Sequence, residues 1–202
     1  MKLEFFFDVS SPWTYLAYDR IERFAREHDV ELVWKPFLVG GVFNKVNPSV
    51  YQRRDNPVPA KDTYYRKDME DWARYQGITI GHPSVFPLNS VKAMRGCFVA
   101  LEENRISPYA RGCFEAYWRD DRDISKEDEL GAVAEAAGLD RGHFLTRIQQ
   151  DDVKQALFST TDEAIERGAF GSPTFFLDGD DMYFGNDRLE LIAAAIQRKR
   201  RA

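Results

Sequence analysis

The chain has 202 residues, with 33 acidic against 28 basic side chains and a formal net charge of -5. That balance excludes the basic footprint of a general nucleic-acid binder; no apolar run reaches the ~20 residues of a membrane span, and the first one, broken by Glu4 and Asp8, is too short for a secretory signal. Cys97 and Cys113 are too far apart for a CxxC pair and His28, His82 and His143 lack ligand spacing, so the expectation is a reduced, cytoplasmic protein with no metal site.

Leu3 to Phe7 is an apolar, aromatic-rich run and predicts a strand covered on both faces. Ser10 or Ser11 can cap the next helix, Pro12 suits its first turn, and Tyr15, Leu16, Ile21 and Phe24 recur at helical spacing. Val30 to Phe37 alternates and predicts a second strand, parallel to the first because a helix separates them. Leu38 to Ala60 contains Gly40-Gly41, Asn47-Pro48, Asn56-Pro57 and Pro59 and predicts a long irregular loop, of the kind that covers a ligand. Residues 61–168 read as helix throughout, which predicts an inserted all-helical domain between the two halves, 1–60 and 169–202, of an α/β domain. Pro173 to Asp178 and Met182 to Phe184 predict a hairpin. Asn186-Asp187 predicts the cap of a last amphipathic helix carrying Leu189, Ile192 and Ile196.

The order β-α-β, helical insert, β-β-α is that of a thioredoxin fold with an all-helical insertion. In that frame Ser11-Pro12-Trp13-Thr14 resembles the Cys-Pro-Xaa-Cys turn of dithiol oxidases with both sulfurs replaced by hydroxyls. The redox chemistry is lost and the helix N-terminus is kept. An N-terminus that lowers the pKa of a protein thiol would equally lower that of a thiol brought in by a ligand, which points to glutathione; taken alone, Ser11 is a helix cap. Gly171-Ser172-Pro173-Thr174 opens the third strand where this fold places a cis proline. Ser172 would offer main-chain N–H and C=O to an extended peptide, its side chain mattering little. Phe184-Gly185-Asn186-Asp187-Arg188 adds a second helix start, with N–H groups for a carboxylate and the Asp187 carboxylate for an ammonium.

Together with Ala60-Lys61-Asp62-Thr63-Tyr64, Asp68, Trp72-Ala73-Arg74 and Phe86-Pro87-Leu88-Asn89-Ser90, these pieces resemble the 2-hydroxychromene-2-carboxylate isomerases and the related kappa-class glutathione transferases over essentially the whole chain. The resemblance implies a glutathione-dependent isomerase that converts 2-hydroxychromene-2-carboxylate to trans-o-hydroxybenzylidenepyruvate in aromatic-compound degradation. It implies Ser11 as the catalytic residue beside the glutathione sulfur, with Ser172, Pro173, Gly185, Asn186 and Asp187 holding the peptide and γ-glutamyl parts. Lys61 would hold the glycine carboxylate, and Asn47 and Asn89 would face the small aromatic substrate. A homodimer is implied as well. A transferase that keeps its conjugate and a peptide-binding module that leaves the sulfur unactivated are the alternatives.

Overall fold

Strand β1 (Lys2–Phe7) buries Leu3, Phe5, Phe6 and Phe7 completely, so both faces of its pleat are covered. The computed structural model describes residues 1–201, the side chain of residue 54 excepted. β1 pairs in parallel with β2 (Glu31–Pro36) and antiparallel with β3 (Thr174–Leu177), which forms a hairpin with β4 (Asp181–Phe184). The sheet order is β2-β1-β3-β4. Between β1 and β2 runs α1 (Pro12–Glu27), which turns its buried residues Tyr15, Tyr18, Ile21 and Phe24 to the sheet. This is the thioredoxin architecture expected from the chain order.

The two faces of β1 sit in different clusters. Phe5 stacks on Phe7 at 5.3 Å and on Phe175 at 5.2 Å, and this face shares one core with α1, α5 (Val91–Glu102), α6 (Ile106–Phe114) and α7 (Glu127–Ala136). Phe6 packs the other way, against Phe37 and Phe176, with Val39, Val42 and Ala164 around it. Each such buried aromatic contributes about 1.5–3 kcal/mol.

The stretch after β2 differs from expectation. Leu38 to Ala60 is not an irregular loop: it holds α2 (Val39–Val46), α3 (Ser49–Asp55) and the start of α4 (Pro59–Gln76). Pro48 and Pro59 fall at the beginnings of α3 and α4, where a missing N–H costs nothing, so they separate helices and do not break them. Val39 and Val42 are buried on α9 (Asp151–Glu166), and a Cβ on Gly41 would lie 3.1 Å from Thr161 Cγ2, so the glycine permits close helix contact. Helix α6 is continued by a π-helical turn, Glu115–Arg119. α8 (Arg141–Arg147) is capped by Asp140, and α10 (Leu189–Arg201) closes the chain. Among the described residues no helix is long and apolar enough to cross a membrane.

Candidate active site

At the end of β1 the chain turns sharply into α1. The Ser11 N–H donates to the Asp8 carbonyl at 3.1 Å, and Ser11 Oγ accepts the Thr14 N–H at 3.3 Å, so Ser11 is the cap. Pro12 follows at the first helical position and no acidic side chain occupies the first turn of α1 itself. Ser11 Oγ also donates to the Ser172 carbonyl at 3.2 Å. The Ser172–Pro173 peptide is cis, and the Pro173 carbonyl accepts the Gly185 N–H at 3.1 Å. Ser11, Ser172, Pro173 and Gly185 are thus joined in one chain of contacts across the end of the sheet.

The Ser172 side chain is not idle. Its Oγ lies 2.7 Å from Thr14 Oγ1 and accepts the Asp8 N–H at 3.2 Å, all buried. It ties the start of α1 to the start of β3, a role that main-chain reasoning about a peptide ligand does not disclose. At the second turn, Gly185 has φ +112, a region that L side chains rarely adopt, and its ideal Cβ would lie 2.8 Å from Asp187 Oδ1. Asn186 is 5% exposed and its Nδ2 has no hydrogen-bond partner. The expected cap is not there: Asn186–Arg188 is a 3₁₀ turn ahead of α10, and Asp187 Oδ2 instead holds Arg188 Nη1 at 2.7 Å.

The remaining expected residues stand further out. Lys61, in the first turn of α4, lines a cleft of about 390 Å³ with Arg53, Tyr64, Tyr65 and Asp68. One of its lining residues, Tyr65, is tied to α1: its Oη accepts the Trp13 Nε1–H at 2.7 Å. Asn47 Nδ2 donates to the Phe170 carbonyl at 3.0 Å and its Oδ1 accepts from Ser49 Oγ at 2.7 Å, so both ends of this side chain are engaged in fastening the segment after α2 to the approach to β3. Asn89 Oδ1 accepts the Val91 N–H at 3.2 Å at the start of α5.

One residue escaped the sequence reading. Asp8 is fully buried: Oδ1 accepts the Ser10 N–H at 2.9 Å and Ser10 Oγ at 2.8 Å, and Oδ2 accepts the Val39 N–H at 2.9 Å and Ser90 Oγ at 3.1 Å. Burial pushes its carboxyl pKa up, against the pull of hydrogen bonds from Ser10, Val39 and Ser90. The available signal was a charged residue placed directly after the buried Phe5-Phe6-Phe7 run. The two cysteines lie in the core, where burial raises both thiols, Cys113 to about 12, so neither presents a thiolate near neutrality.

A model of the DsbA-like thioredoxin domain matches residues 2–197, and a 2-hydroxychromene-2-carboxylate isomerase of Pseudomonas putida is 32% identical over 203 residues, 98% of this chain and 95% of that protein. The chain belongs to the 2-hydroxychromene-2-carboxylate isomerase family of DsbA-like thioredoxin domains. Glutathione S-transferase kappa 1 of Rattus norvegicus is 29% identical over 210 residues, 98% of this chain and 91% of that one. A solved 2-hydroxychromene-2-carboxylate isomerase structure superposes with a TM-score of 0.82 at 29% identity, covering 100% of this chain and 97% of the other. In this member of the isomerase family, the Ser11 turn lies against the turn that holds the cis Ser172–Pro173 peptide.

Proposed function

We propose that the protein is a glutathione-dependent cis-trans isomerase that converts 2-hydroxychromene-2-carboxylate to trans-o-hydroxybenzylidenepyruvate, with Ser11 as its catalytic residue. The observation that carries this reading is the Ser11 hydroxyl, set at the open N-terminus of α1 and donating to the Ser172 carbonyl, while both protein thiols are buried in the core. The residues fit a peptide thiol: the buried Asn186 Nδ2 is a donor without a protein partner, beside a glycine whose Cβ would crowd the turn. Glutathione, when bound, supplies a nucleophilic thiolate that is regenerated each turnover. Ser11 turns its O–H from the Ser172 carbonyl to the sulfur, a charge-assisted bond of about 1.5–3 kcal/mol, and the α1 dipole adds about 0.3–1. At 1.36 kcal/mol per pKa unit these depress a bound thiol by roughly one to three units.

In this reading Asn186 and Asp187 hold the γ-glutamyl end, Ser172, Pro173 and Gly185 the peptide, and Lys61 the glycine carboxylate. Asn47 and Asn89 face the aromatic substrate. The molecule is a cytoplasmic homodimer, with 61–168 as an inserted helical unit on the domain formed by 1–60 and 169–202. The kappa-class relative supports a second reading, a transferase that keeps its conjugate. Turnover of 2-hydroxychromene-2-carboxylate, followed together with free thiol, separates the two. Product formed at constant thiol supports the isomerase, and loss of one thiol per product supports the transferase.

A further inference from the structure

We infer that Asp8, as its carboxylate, is a positioning residue: it fixes the Ser10-Ser11 turn, the start of α2 and the Asn89-Ser90 segment against one another, and its ionisation sets the acid limb of activity. The part about activity rests on the reading of Ser11 given above; the part about geometry does not. Four donors from three separate segments converge on Asp8, two on each oxygen. On each oxygen one of the two is a backbone N–H, from Ser10 or from Val39, which can only donate. A carboxamide at this position would turn its NH₂ group against one of those N–H groups whichever way it lay, so the pocket selects a carboxylate. Besides these four bonds, the Asp8 main chain accepts the Ser11 N–H and donates to Ser172 Oγ. The Ser11 turn and the Ser172 turn that accepts from the Ser11 hydroxyl are therefore both fastened to this one residue.

Among the described residues no Lys, Arg or His comes within 4.0 Å of the Asp8 carboxylate, whose own pKa is set by burial and by its hydrogen bonds; the ionisable groups that feel its charge are the Cys97 thiol of α5 and the Tyr117 phenol of the π-turn. Burial raises both of those groups, so they stay neutral. An unpaired buried charge is costly, and here only aimed dipoles offset it. Protonation replaces a charge-assisted bond at Ser10, next to Ser11, or at Ser90, next to Asn89, with a weaker neutral one.

The test uses the full chain and reads two quantities. In the glutathione-free protein, the Asp8 carboxyl carbon, assigned by its loss in Asp8→Asn, and the Ser11 and Val39 amides are followed by NMR against pH. The expected result is one shared midpoint for all three; a Ser11 amide that stays flat while Asp8 titrates would overturn the positioning role. In the glutathione-loaded protein, Asp8→Asn should lower kcat at least tenfold with a smaller change in KM. Ser90→Ala, which withdraws one donor from the charged form, should move both the Asp8 midpoint and the acid limb of kcat/KM upward by about one pH unit. An Asp8 midpoint that moves without the acid limb would overturn the link to activity. If Asp8→Asn does not fold, Ser90→Ala and Ser10→Ala decide the matter alone. If glutathione supports no turnover of the wild type, the proposed reaction fails while the NMR result still stands or falls by itself.

Discussion

Replacing Ser11 by alanine separates two jobs that one hydroxyl performs. In the free protein Ser11 Oγ accepts the Thr14 N–H at 3.3 Å and donates to the Ser172 carbonyl at 3.2 Å. Loss of the cap costs about 1 kcal/mol of stability, and the second bond, partly open to water, contributes at the low end of about 0.5–1.5, so Ser11→Ala should unfold about 1–2 kcal/mol more easily. The catalytic loss has a different origin. Without the bond to sulfur, worth about 1.5–3 kcal/mol, kcat/KM should fall about ten- to 150-fold near neutral pH at 1.36 kcal/mol per decade. The bound thiol then has a higher pKa and a smaller thiolate fraction at neutrality, so the deficit should shrink as pH rises. Ser11→Thr keeps both the hydroxyl and the cap and should recover much of each loss. The assay is the pH titration of thiolate absorbance in the bound complex, run beside isomerisation rates and denaturant unfolding. Near-wild-type turnover at saturating glutathione, with an unshifted thiol titration, would refute the assignment.

Asp187→Asn should weaken glutathione binding by about 1.5–3 kcal/mol, toward the lower end because the carboxylate already shares itself with Arg188 at 2.7 Å in a half-exposed pair; unchanged affinity by calorimetry removes Asp187 from the site. Gly185→Ala forces a side chain into φ +112 with its Cβ 2.8 Å from Asp187 Oδ1, and should cost about 1–3 kcal/mol of stability together with glutathione affinity. Wild-type melting and binding would show that the turn relaxes freely. A variant with Cys97 and Cys113 both changed to alanine should keep glutathione-dependent turnover and lose only core packing, because burial holds both thiols protonated; a folded but inactive variant would put the reactive sulfur on the protein.

Where local chemistry and burial agree, the sequence could be read directly. The Phe5-Phe6-Phe7 run, the Ser11 cap with Pro12 behind it, and the hairpin at Gly179 each carry a signal confined to a few residues. The stretch after β2 failed because Gly40-Gly41, Pro48 and Pro59 outweighed the spacing of Val39, Val42 and Val46, although those valines alternate as a helix and bury two of their number on α9. Proline at a helix start and proline in a loop look alike until the partner helix is known. The site divides the same way. Ser11 was visible from its own neighbours, whereas the Ser172 hydroxyl acts on Asp8 and Thr14, more than 150 positions away in the chain. The Asp8 carboxylate gathers donors from Val39 and Ser90, and a contact of that range leaves no pattern in a window of residues.

The sheet order also governs how the molecule is made. β1 is the second of the four strands in sheet order, yet its partner on one side, β3, lies at residues 174–177, beyond nine α-helices. A nascent chain that has reached only the helical region has its β1–α1–β2 unit in place and one side of β1 unpaired, with Phe5, Phe6 and Phe7 behind that bare edge. Such an edge is a template for pairing with another chain, and closing it waits on contacts of very long sequence separation, which form slowly. Ribosomal stalling or truncation within residues 61–168 should therefore yield aggregates where a complete chain yields soluble protein, and loss of the last two strands should be far more harmful than their eight residues suggest.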